Sequence, residues 1–214
     1  GVKESVFLSK RAAAAAGASA QEPFVKVGPE TVYDAGIRCA VPFFAVADFD
    51  RDKGTITMVI QALGKTTLAM RDHYKASDHI IDFVGPLGLP QHVAHAGHVV
   101  LVGGGLGVAP VFPQLRAFKA AGNRTTGVIG FRNKDLVFWE EKFASQCDKL
   151  IVCTDDGSYG TPGFVTAALK AVLENDKPDL VIAIGPLPMM NACVETTRPF
   201  GVKTMVSLNA IMVD

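Results

Sequence analysis

The sequence predicts two folded parts in succession, a small β-barrel over residues 1–96 and a doubly wound α/β domain with a parallel sheet over residues 97–214. Three observations carry that expectation. Short runs of β-branched and aromatic residues, with no long helix between them, fill the first part. Apolar runs alternate with helical segments in the second. The junction, Gln91 to Gly97, is polar and shows no strong periodicity.

In chain order, Arg11 to Ala20 is nearly all alanine and is expected to be a helix or a tolerant loop. Pro23 to Val27, Val41 to Ala47 and Thr55 to Leu63 have the composition of strands, and Asp50-Arg51-Asp52-Lys53-Gly54 is a turn signal between two of them. Beyond the junction, strands are expected at His98 to Val102, Thr126 to Gly130, Leu150 to Thr154, Leu180 to Ile184 and Val202 to Ser207. Helices at about Ala109 to Ala121, Lys134 to Ser145, Thr161 to Glu174 and Pro188 to Thr197 are long enough to serve as crossovers between parallel strands.

Composition excludes several function classes. Lys and Arg number 21 and Asp and Glu number 21, so no basic excess recruits nucleic acid. No apolar run reaches the length of a membrane span. Cys39, Cys147, Cys153 and Cys193 have no C-x-x-C spacing, which argues against a disulfide framework or a zinc site and for small core residues in a reducing, cytoplasmic setting. His92, His95 and His98 recur every three residues, but Val93, Ala94, Ala96 and Gly97 between them favour a linker over a metal site.

The chemistry is expected at the carboxyl ends of the parallel strands, where doubly wound sheets take ligands. The first strand runs into Gly103-Gly104-Gly105-Leu106-Gly107 and then Val108, Ala109 and Pro110. Bare backbone there leaves room for a pyrophosphate, and the N–H groups opening the next helix supply donors. Pro110 falls in the first helical turn and stands where the dinucleotide fingerprint needs Gly or Ala, so this is a different phosphate loop. The later strands end in Gly130-Phe131-Arg132-Asn133, in Thr154-Asp155-Asp156-Gly157-Ser158-Tyr159-Gly160 and in Gly185-Pro186-Leu187-Pro188-Met189-Met190. Each set of residues also suits an ordinary turn; together they outline one rim.

A small barrel followed by a sheet with Gly-x-Gly-x-Ala-Pro after its first strand resembles the ferredoxin–NADP reductase superfamily. The motifs closing the third and fourth strands, with Val206 to Asp214, look like the branch that holds dihydroorotate dehydrogenase electron-transfer subunits and the FAD subunit of NADH-dependent ferredoxin:NADP oxidoreductase, also called sulfide dehydrogenase. Ala47-Asp48-Phe49-Asp50 with Gly54-Thr55-Ile56-Thr57 and Gly64-Lys65-Thr66-Thr67 favour the second group. The resemblance covers about residues 24 to 214.

It implies a cytoplasmic flavoprotein that oxidises NAD(P)H through FAD and passes electrons to a second oxidoreductase subunit carrying FAD or iron–sulfur clusters, with ferredoxin as a further acceptor. FAD would lie along Pro42, Phe43, Phe44 and Ala45 and along Val59, Ile60 and Gln61, with its pyrophosphate at Gly64, Lys65, Thr66 and Thr67. The nicotinamide nucleotide would use Gly104, Gly105, Gly107, Val108, Ala109 and Pro110, with Gly130, Arg132 and Asn133 at the adenosine ribose. Asp155, Asp156, Gly157, Gly185, Pro186 and Met189 would edge the nicotinamide. Arg132 suits the 2′-phosphate of NADP(H), whereas the resemblance favours NAD(H).

The chain departs from its relatives at the flavin strand, with Ala40 where they have Arg and Phe44 near their Thr or Ser. A nucleotide-binding module with a decayed flavin site is therefore an alternative, as is an electron-transfer subunit for dihydroorotate oxidation. The relatives continue beyond Val213-Asp214 into a cysteine-rich segment holding a 2Fe–2S cluster, so the chain is expected to be a piece of a longer subunit and not to hold that cluster itself.

Overall fold

In a computed structural model of the chain, residues 3–7, 45–74, 78 and 92–208 are described. The strand expected at Pro23 to Val27, the alanine-rich stretch, Cys39, Ala40 and Pro42 to Phe44 lie outside them. The chain divides into two units, Gly1–Gln91 and His92–Asp214.

In the first unit, β1 (Lys3–Phe7), β2 (Val46–Asp50) and β3 (Thr55–Ile60) form an antiparallel sheet in the order β1-β3-β2. The β2–β3 hairpin turns where the sequence signals it. Asp50 accepts the N–H groups of Asp52 and Lys53 at 3.0 and 2.9 Å, and Gly54 has a φ of 60°. The strand expected to reach Leu63 stops at Ile60, and α1 (Lys65–His73) follows.

The second unit is a six-stranded, wholly parallel sheet in the order β7-β6-β5-β4-β8-β9. Its strands are β4 (His98–Gly104), β5 (Arg124–Phe131), β6 (Lys149–Thr154), β7 (Thr161–Pro162), β8 (Leu180–Ile184) and β9 (Lys203–Val206). β4 is central and wholly buried, which is why it is apolar throughout instead of alternating. Val99 and Leu101 face one core with Phe112, Leu115 and Phe118 of α2 (Val108–Ala120) and Phe143 of α3 (Glu140–Ala144). Val100 and Val102 face the other, with Leu169 and Val172 of α4 (Val165–Asn175) and Cys193 of α5 (Leu187–Thr197). Helices therefore cover both faces, as the alternation predicted. The chain order reverses between β4 and β8, which makes a crevice at their carboxyl ends.

Two expected helices are corrected. The helix over Lys134 to Ser145 is broken into a single 3₁₀ turn at Lys134–Leu136, an extended link and α3. On a continuous helix, neighbouring side chains diverge by roughly 100°. Phe138 and Trp139 instead both pack inward, edge-on to Phe131 and Phe112, with Trp139 at a φ of 62°. The helix expected from Thr161 starts only at Val165. Pro162 disfavours helical backbone before it, and Gly163, at a φ of 100°, donates its N–H to Thr154 at 2.9 Å, so Thr161–Pro162 pairs with β6 as a short edge strand.

Candidate functional site

The turn after β4 is the first element of the candidate site. Gly105–Gly107 forms one 3₁₀ turn that leads into α2. The space beside most of its glycines belongs to the protein, which corrects the expectation of bare backbone throughout. A β-carbon on Gly103 would meet Val108, one on Gly104 would strike the Met189 sulfur, and one on Gly107 would overlap the Ile184 carbonyl. Only Gly105 among these faces open space, at a φ of 55° that favours glycine. The N–H of Val108 turns back to Gly105 and Leu106, and the 3₁₀ turn engages the N–H of Gly107 within itself. No carboxylate stands in the first turn of α2, and Pro110 sits in that turn. The positive end of this 13-residue helix suits an anion.

Around this turn the sheet gathers the other strand ends. Gly130, beside Gly104 in the β4–β5 register, is fully buried, and its missing side chain makes room for Val165. The exposed Arg132 and the half-buried Asn133 follow it, and the Asn133 Oδ1 is buried with no donor among the described residues. After β6, the N–H groups of Asp155 and Asp156 donate to the carbonyls of Phe131 and Arg132 at 2.9 and 3.2 Å. The Asp156 carboxylate accepts the Ser158 hydroxyl and N–H at 2.6 and 2.9 Å, which holds it below the usual carboxylate range. It caps its own turn, with Gly157 at a φ of 70° completing the bend. After β8, Gly185 lies against Met189 and the Gly104 carbonyl, Pro186 precedes α5, and Met189 fills the gap between the two glycine segments. Ser158, which in the chain looks like turn punctuation, links Asp156 to the Lys134 main chain. Its position two residues after Asp156 was the available signal.

In the first unit, Gly64 precedes α1, and the N–H groups of Lys65, Thr66 and Thr67 meet no acceptor among the described residues. The Thr67 hydroxyl is occupied: it accepts the N–H groups of Leu63 and Gly64, each at 3.0 Å, and donates to the Gly64 carbonyl at 3.1 Å. Three open donors with no acidic residue in the first turn again suit a phosphate group. Val59 is buried, Ile60 and Gln61 are half-buried at the end of β3, and Ala45 is exposed just before β2.

Burial raises the thiols of Cys153 and Cys193 to about 11, so both stay protonated as core groups. His98 is buried at the opposite end of β4, with Nε2 2.9 Å from Thr126, while His92 and His95 are exposed ahead of the strand. No helix among the described residues is long and apolar enough to cross a membrane.

Comparison with known proteins bears on the family and the fold. No family model matches. The chain is 44% identical over 171 residues to a dihydroorotate dehydrogenase B (NAD(+)) electron transfer subunit homolog of Thermotoga maritima, covering 79% of this chain and 59% of that protein. It is 36% identical over 151 residues to the dihydroorotate dehydrogenase B electron transfer subunit of Bacillus mycoides, covering 69% and 56%. A solved NADH-dependent reduced ferredoxin-NADP oxidoreductase structure superposes with a TM-score of 0.73 at 43% identity, over 80% of this chain and 61% of that one. An Amycolatopsis cytochrome P450 reductase, 19% identical, shares the fold with a TM-score of 0.67, over 86% and 58%. The chain thus spans less than two thirds of the length of these relatives.

Proposed function

This chain is a ferredoxin reductase-like protein, homologous to the electron transfer subunits of dihydroorotate dehydrogenase B, and we propose that it oxidises NADH through FAD and relays the electrons to an iron–sulfur partner subunit. The observation that carries the reading is the β4–α2 turn at the reversal of strand order, where Gly105 faces open space at the start of a helix with no acidic residue in its first turn.

When bound, nicotinamide and flavin supply hydride transfer and onward electron relay. The chain's own residues bind and orient. The open turn at Gly105 and the start of α2 would take the dinucleotide diphosphate, and Arg132 and Asn133 would meet its adenosine half. Asp155 and Gly185–Pro186 would border the nicotinamide, with Met189 bracing the last segment. Lys65, Thr66 and Thr67 would donate main-chain N–H groups to the FAD diphosphate, and Ala45 and Val59 to Gln61 would border the flavin with Pro42 to Phe44. None of these roles requires a side chain to move a proton.

The relatives, one NAD(+)-linked and one NADH-dependent by name, support NAD(H) as electron donor. They also favour a second reading, a subunit serving a dihydroorotate-oxidising partner. The test is to purify the chain with excess FAD, record its visible spectrum and assay NADH oxidation with an artificial acceptor. Bound, NADH-reducible flavin is expected. Protein that takes up no flavin while still binding NADH would overturn the enzyme reading in favour of a nucleotide-binding module. The partner that co-purifies from the source organism separates the two acceptor readings.

A further inference from the structure

The ends of β5 and β6 are joined by a polar staple for which the proposed electron relay assigns no role. Thr154, buried at the end of β6, donates its hydroxyl to the Tyr159 carbonyl at 2.6 Å and accepts the Tyr159 N–H at 3.0 Å, which folds the following loop back on itself. Across the gap, the Asp156 N–H donates to the Arg132 carbonyl at 3.2 Å. Ser158 completes the link: its hydroxyl donates to Asp156 at 2.6 Å and accepts the Lys134 N–H at 2.9 Å. Arg132 and Lys134, the two neighbours of Asn133 in the chain, are thus both held from the β6 side.

Between those two anchors Asn133 is extended, with φ −154° and ψ 173°. Its Oδ1 is buried and meets no donor among the described residues. A buried amide oxygen without a partner carries a desolvation cost that a ligand donor removes. This oxygen follows a strand that ends on the nucleotide-facing rim.

We infer that Asp156 and Ser158 are positioning residues that hold Asn133 as the acceptor for a hydroxyl or amino donor on the adenosine half of the dinucleotide. The inference rests on the nucleotide site proposed above. Ser158 itself touches no ligand in this scheme; it acts through the main chain of Lys134, and Asp156 acts through Ser158 and Arg132. A side chain that only shaped a surface loop would have no reason to favour one half of the nucleotide over the other.

The experiment titrates the full chain by calorimetry with ADP-ribose and, separately, with reduced nicotinamide mononucleotide. Ser158→Ala and Asn133→Leu are each expected to weaken ADP-ribose binding about tenfold, as the loss of one or two hydrogen bonds implies. Binding of the mononucleotide should change less than twofold. Ser158→Thr, which keeps the hydroxyl, should restore ADP-ribose affinity, and faster Lys134 amide exchange in Ser158→Ala would report the broken staple. Equal weakening of both ligands, or wild-type ADP-ribose affinity in Ser158→Ala, overturns the inference and leaves the nucleotide site standing. Wild-type protein that binds neither ADP-ribose nor NADH overturns the site itself.

Discussion

Gly107 lies main chain against main chain on Ile184: a β-carbon on Gly107 would overlap the Ile184 carbonyl oxygen and come within 2.7 Å of the Gly185 α-carbon. Neither neighbour can rotate away, because both are backbone at the end of a central strand. Gly107→Ala is therefore expected to destabilise the second unit by about 1–3 kcal/mol, the range for overpacking, and to weaken NADH binding at least tenfold. Gly105→Ala meets nothing within 4 Å among the described residues and carries only the strain of its positive φ, about 1–2 kcal/mol. Thermal melts and NADH titrations of the two variants compare the contributions. A Gly107→Ala protein as stable as the parent would refute the close-packed turn.

The Thr67 hydroxyl closes the turn before α1 instead of facing a ligand. Thr67→Ala is expected to cost about 1 kcal/mol of local stability by removing that turn closure. FAD affinity should fall several-fold as the helix start frays, and Thr67→Ser should behave like the parent. A flavin titration followed by fluorescence quenching checks this. Loss of flavin in the serine variant would instead mean that the threonine methyl group, not its hydroxyl, is needed.

Arg132 is exposed, and no hydrogen bond or ion pair engages its guanidinium among the described residues. Such a group is worth more to a 2′-phosphate than to a ribose hydroxyl, because charge-assisted hydrogen bonds are the stronger ones. Arg132→Ala is expected to lower kcat/KM for NADPH about tenfold while changing that for NADH less than threefold. Steady-state rates with both nucleotides decide it, and an equal loss with both would place Arg132 away from the 2′ position.

At the other end of the sheet, His98 is buried with Nε2 on Thr126 and Nδ1 3.7 Å from Asp176, which pairs with Arg124. The His98 main-chain N–H goes to Asp179 at 2.8 Å. Burial, helped by the Arg124 charge, pushes the imidazole below its ordinary 6.5 against the pull of Asp176 and Asp179. The unfolded chain therefore binds the extra proton first, so this residue's contribution is complete above pH 6.5 and is lost as pH falls from there through the depressed folded value. Melting temperature should decline over that window, and His98→Gln should flatten the decline. The lowered carboxylates Asp148 and Asp176 lose their contributions only at more acid pH, below 3.8. A parent protein with unchanged melting temperature from pH 7 to pH 5 would contradict this sign.

The sequence by itself determined the class of the fold and the places of its main parallel strands along the chain. An all-apolar β4, a Leu180–Ile184 strand found where its apolar run predicts it, and helical periods between them admit a buried parallel sheet with helices on both faces. These are local patterns, visible to anyone who counts residues. The tertiary structure alone decided which side of each motif faces outward. Four glycines in five residues look equivalent in the chain, yet Val108, Met189 and Ile184 occupy the space beside three of them and leave Gly105 open. Only the packed structure shows that the missing side chain of Gly130 admits Val165. The aromatic packing of Phe138 and Trp139 broke an expected helix, and Ser158 became a link between strand ends 24 residues apart. The physical reason is common to all of them: periodicity records how a side chain relates to its own strand or helix, whereas occupancy of the space beside it depends on segments distant in the chain.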